Sequence, residues 1–205
     1  MSFFEPPPPP PAPPPRPQAP VWAGPPNNVL AASFPLDLVL ARTDELALFV
    51  HSGRAYVHGF EFTLALHSRK PPIRRGDPIM SWRAPPGDEL PDDVVRFGIA
   101  FADGRKATVF DRRAWWGDPE QLATPEIVLS QRGGGGGDAT WDFRFWAWPL
   151  PPEGPLTFVT EWPSEGIALT RIDFDSAVVR DAATRAEELW STGEPRGGGW
   201  VGYVS

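Results

Sequence analysis

At 205 residues, 41% hydrophobic and 12% aromatic, the chain is long and apolar enough to enclose one sizeable core. A net charge of −7 and a pI near 5.0 exclude the basic footprint needed for nucleic acid or an anionic membrane surface. The absence of cysteine excludes disulfides and a thiol nucleophile and agrees with a reducing, cytoplasmic setting.

The first residues lack the positive and apolar regions of a secretory signal, and no apolar run reaches the length of a bilayer span. Residues 6–20 are nearly all proline and alanine, a composition that favours extended polyproline II and cannot pack a core. Within them Pro11, Pro14 and Arg16 match the Pro-x-x-Pro-x-Arg pattern read by SH3-type grooves. A tract this rich in proline matches that pattern by composition alone, so we expect residues 1–27 to form a disordered arm.

The folded part is expected from residue 28 to 190. Leu30, Ala32, Phe34, Leu36, Leu38 and Leu40 alternate at period two, with Pro35 marking an edge or a bulge. Leu46, Leu48 and Val50 continue the pattern. Phe60, Phe62, Leu64 and Leu66 then alternate with Glu61, Thr63 and His67, which places the first set on a core face. Residues 68–92 and 111–124 are long polar excursions carrying Trp82, Trp115 and Trp116, and loops of this length are functional or mobile. Between them, Asp103-Gly104 predicts a tight hairpin with positive φ at both residues.

From residue 125 the chain reads as strands 126–131, 140–148, 156–162 and 167–173, separated by Gly/Pro turns. The run Gly133–Gly137 is expected as a flexible hairpin loop, and the whole as a β-meander. A helix over 176–190 follows, capped by Asp173 or Asp175, with Val178, Val179, Ala182, Ala186, Leu189 and Trp190 on one side. Residues 191–205 read as a flexible Gly-rich tail. The expected fold class is therefore all-β, an antiparallel sandwich of eight or nine strands. It is immunoglobulin-like or jelly-roll-like, with one C-terminal α-helix packed on it.

No residue set requires catalysis. The glycine run lacks the helix and the Lys-Ser/Thr pair of a phosphate loop. His51, His58 and His67 show no metal-ligand spacing. Glu61, Asp142, Glu161, Glu165 and Asp173 are acids on strand faces or turns that nothing in the sequence brings together. No catalytic residue, cofactor or metal is expected, and the balance leans against an enzyme without deciding it.

The anomaly is the set of 10 tryptophans. On strand 140–148, Trp141, Phe143 and Phe145 face one way, and Asp142, Arg144, Trp146 and Trp148 the other. Exposed aromatic stripes bind partners, whereas here the C-terminal helix needs an apolar surface and Trp146 and Trp148 would supply it. Candidate partner-binding residues are Trp82, Trp115, Trp116, Trp146, Trp148 and Arg144. They imply a cytoplasmic protein-binding module that uses Trp-bearing loops and the polyproline arm, either as a monomer or as a homo-oligomer. The alternative is a carbohydrate-binding or carbohydrate-active protein that uses exposed Trp as sugar platforms.

The run from Trp146 to Trp162, WAWPLPPEGPLTFVTEW, together with the proline-rich start, resembles a group of β-sandwich proteins from high-GC, actinobacterial-type genomes. That resemblance implies a cytoplasmic β-sandwich and brings no activity, cofactor or site.

Overall fold

A computed structural model describes residues 20–69, 89–111, 124–137 and 139–191. A short pair, β1 (Val29–Leu30) with β12 (Glu187–Glu188), joins the two ends of this described chain. The larger sheet runs β2 (Ala32–Phe34), β4 (Leu46–Ala55), β5 (Phe60–Ser68), β9 (Thr140–Trp148) and β8 (Val128–Gly137). Its sixth strand, β3 (Leu38–Arg42), lies in line with β2 along the same edge of β4. The smaller sheet runs β11 (Ile167–Asp175), β10 (Pro155–Trp162), β6 (Arg96–Phe101) and β7 (Lys106–Thr108). All pairings are antiparallel, and the fold is the expected all-β sandwich with one C-terminal helix, α1 (Ser176–Ala183). Twelve strands stand among the described residues rather than eight or nine. Pro35 splits one expected strand in two, and β1 and β12 are too short to leave a pattern.

Period two places the core. Leu48, Val50, Phe62, Leu64, Phe143 and Phe145 of the larger sheet meet Phe97, Ile99, Leu156 and Phe158 of the smaller one. Phe62 stands at the centre. Its ring lies 5.7 Å from Phe145 in its own sheet and 6.0 and 5.3 Å from Phe97 and Phe158 opposite. Stacked and edge-to-face pairs at these separations add to the gain from burial alone.

Several expectations are corrected. Strands 126–173 are two hairpins in different sheets, not one meander. β9 already has β5 and β8 on its two sides, so the chain after Trp148 finds no free edge there and crosses to the smaller sheet. Gly133–Gly137 are not a loop: they complete β8, paired with Arg144 through Thr140 of β9 after a bulge at Gln131/Gly133. Each glycine stands opposite a residue of β9, and this antiparallel ladder, which hydrogen-bonds alternate pairs, overrides their weak strand propensity. At Asp103-Gly104 only Gly104 has positive φ, 90°. Phe101 accepts from Gly104 N–H and donates to Arg105 O, a three-residue loop with its left-handed residue at Gly104.

The helix stops at Ala183, where the sequence predicted Trp190. Beyond it Glu187 and Glu188 pair with β1, Leu189 N–H donates to Asn28 O, and the Asn28 amide donates to Glu188 Oε1 and Trp190 O. This long-range pairing outweighs the helix propensity of Glu187, Glu188 and Leu189. Nor does α1 lie on Trp146 and Trp148. Val179, Ala182 and Ala183 enter the main core beside β2 and β4, while Leu189 and Trp190 are exposed. The reason is connectivity: α1 leaves β11, the edge of the smaller sheet, and closes the gap to the β2 edge of the larger one. Finally, the packed chain does not begin at Asn28. Trp22 is only 8% exposed. Among the described residues no helix is long and apolar enough to cross a membrane.

Candidate binding surface

The outer face of the larger sheet carries most of the unusual chemistry, and pairing fixes its rows. One row holds Arg54, Glu61, Trp146 and Ser130; the next holds His51, Thr63, Arg144 and Gly133. A third holds Phe49, Ala65, Asp142 and Gly135, and the last Ala47, His67, Thr140 and Gly137.

One end of this face is closed. Trp146 is 0% exposed, packed in a second cluster with Trp22, Ala31, Tyr56 and Val128. Its indole N–H donates to Trp22 O at 3.1 Å, so the polar edge of the ring is satisfied as well as its faces. Tyr56 packs edge-on to Trp146 and donates its hydroxyl to Glu61 Oε2 at 2.7 Å. Burial, then the acceptor Glu61, raise the Tyr56 hydroxyl well above the ordinary tyrosine range. Arg132, the bulge residue of β8, donates to Ala23 O at 3.1 Å. Burial lowers its pKa, Glu61 opposes that shift, and the like charge of Arg144 adds to it. Glu61, expected on a solvent face, is therefore a buried counter-charge that helps fix the N-terminal segment to the sheet.

The other end is open. The ring of Phe49 lies between His51 at 5.6 Å and His67 at 4.9 Å. His51 reaches Asp142 at 3.9 Å and shares a 2.7 Å hydrogen bond with Ser52. Arg144 is exposed beside them.

At the sheet's end, where β9 passes into Pro149, a cleft of about 260 Å³ is lined by Val21, Val57, His58, Trp148, Pro149 and Leu150. Val21 and Val57 are 57% and 50% exposed and Trp148 is partly so, which leaves contiguous apolar surface facing water. A larger hollow of about 420 Å³ runs from Arg42 to Ala47 and His67 to Arg69. Most of its lining residues are charged or polar, Leu46 and Ala47 are the apolar ones, and no tryptophan stands in it.

No protein-family model, curated protein or solved structure matches the chain.

The geometry separates the predicted site residues. Trp146 is a structural anchor. Trp148 lines the apolar cleft, Arg144 stands on the open face two rows away, and Trp82, Trp115 and Trp116 lie outside the described residues. The candidate acids are dispersed. Glu61 and Asp142 sit on the outer face of the larger sheet. Glu161 is paired with Arg96 at 2.7 Å and Asp173 with Thr157 at 2.6 Å, both on the outer side of the smaller sheet. Among the described residues no three His, Asp or Glu side chains form a metal-binding group. Sequence reasoning missed Trp22, Tyr56 and Arg132. The one available signal was a tryptophan beside a proline tract that otherwise lacks large apolar residues.

Proposed function

We propose that the chain is a non-enzymatic, cytoplasmic protein-binding module and that the Trp148 cleft is where it contacts its partner. The observation that carries this reading is the cleft itself. A partly exposed indole stands beside exposed Val21 and Val57, with proline and leucine completing the wall. Interfaces are anchored by aromatic residues set in pockets of this kind, and Trp is enriched among the residues that dominate binding energy. Pro20, the last residue of the proline-rich tract, directly precedes Val21 of the cleft wall.

The sugar-platform reading has less support, because Trp146 is fully buried and its indole N–H is already used by Trp22. Stacking on a sugar needs an accessible ring face.

The test is capture from native cells with the wild-type chain, Trp148→Ala and Val57→Asp, followed by mass spectrometry. A protein retained by wild type and lost from both variants, with both variants still folded at the capture temperature, supports the reading. Reproducible absence of any retained protein, or retention that ignores both substitutions, overturns it.

A further inference from the structure

The five glycines of β8 do not share one explanation. On the inward side, a Cβ at Gly136 would sit 2.3 Å from Thr140 O and 2.6 Å from the Trp141 ring. One at Gly134 would sit 2.8 Å from Asp142 O. Those two positions are glycine because β9 and the Trp141 ring, stacked on Phe143 at 6.2 Å, occupy the space. On the outward side, Gly135 and Gly137 meet nothing within 4 Å, and neither has positive φ. Neither packing nor backbone geometry within the described chain calls for glycine there. Glycine inside a strand weakens it, and it commonly marks a place where a ligand or another backbone comes close.

The surroundings identify what comes close. Among the described residues β8 is an edge strand, paired with β9 on one side only, so its other row of backbone groups faces away from the sheet. At Gly133 the missing side chain lets Arg144 cross β8 from β9: its Nη2 lies 3.2 Å from where a Cβ would stand. Arg144 is exposed and has no hydrogen bond or ion pair with any described residue. Its guanidinium thus reaches toward the edge, where an added strand would present its outward side chains. Two residues along, the bare backbone of Gly135 and Gly137 offers the outer face what Gly136 offers Trp141 on the inner one, a flat floor for a ring.

We propose that the Gly133–Gly137 edge of β8 receives an extended peptide segment by strand addition. Its acidic side chain pairs with Arg144, and an aromatic side chain two residues away lies over Gly135 and Gly137. Backbone hydrogen bonds supply affinity, and the acid and the ring supply selection. This surface is distinct from the Trp148 cleft, and the two proposals fail separately.

The experiment titrates the full chain with a labelled strand-forming peptide, followed by fluorescence anisotropy. The peptide carries one glutamate and one tyrosine two residues apart, which puts both on one face. Saturable binding is expected, weaker by about tenfold for the glutamine counterpart, since a charge-assisted pair is lost. Arg144→Ala should bind the two peptides equally. Gly135→Val should weaken binding without lowering the melting temperature, and Val57→Asp should leave it unchanged. Absence of saturable binding, or binding indifferent to both Arg144→Ala and Gly135→Val, overturns the proposal. So does a wild-type dimer in sedimentation that Gly135→Val dissolves, because the edge would then belong to a second copy.

Discussion

The indole N–H of Trp146 donates to the backbone carbonyl of Trp22 across 3.1 Å, so a residue from the proline-rich start closes the outer face of the larger sheet. Trp146→Ala removes the largest fully buried side chain among the described residues and should cost about 3–5 kcal/mol in chemical denaturation. Trp148→Ala, at a half-buried position, should cost roughly 1–2 kcal/mol. Equal costs for the two would contradict the division between anchor and cleft.

The same contact changes what truncation should do. Sequence composition alone makes residues 1–25 dispensable, but Trp22 belongs to the second cluster, and Ala23 O accepts from Arg132. Deleting residues 1–27 should lower the melting temperature by several degrees relative to deleting residues 1–19, because a few kcal/mol shift Tm by that much at this size. Scanning calorimetry of the two truncations decides the matter.

Tyr56 makes the fold sensitive to alkali. Its hydroxyl is buried on Glu61 and ionises well above the ordinary tyrosine value of 10.0. Above that value the unfolded chain releases this proton while the folded chain keeps it, so stability is intact below pH 10.0 and falls as pH rises past it. Tyr56→Phe removes this slope. At neutral pH the same substitution should cost about 1–2 kcal/mol, since Glu61 loses a buried donor. The difference between the two proteins should therefore narrow in alkaline thermal melts, and a constant difference would rule the linkage out.

Within β8 the two faces should respond oppositely to a methyl group. Gly136→Ala drives a Cβ into Thr140 O and the Trp141 ring and should cost more than about 2 kcal/mol. Gly135→Ala meets open space and should be neutral or stabilising by about 0.5–1 kcal/mol through reduced chain entropy. Urea midpoints of the two variants are enough to check this.

Two aspartates could cap α1 by sequence, and the fold selects one. Asp175 accepts from Ala177 N–H at 2.9 Å, whereas Asp173 is held by Thr157 on the neighbouring strand. Asp175→Ala should cost about 1 kcal/mol, and Asp173→Ala about half of that or less. The reverse order in thermal denaturation would place the cap two residues earlier.

What the sequence determined is what period two controls. Alternation alone placed Phe60, Phe62, Leu64, Leu66, Phe143 and Phe145 in the core, because successive side chains on a strand must face opposite sides and only one side is apolar. Pro35 told of an edge because it has no N–H to give, and it lies between β2 and β3 on the edge of the larger sheet. The second side of β9 was legible only by halves: Trp146 and Trp148 were seen to share a face, but not what covers it. Tertiary structure decided that, since the covering residue, Trp22, lies more than a hundred positions away and local pattern holds no record of pairing at that distance. The same reason governs Gly133–Gly137, which carry no periodicity and become a strand only because β9 offers its backbone. It governs Glu187 and Glu188 too, good helix formers drawn into a strand by Val29 and Leu30.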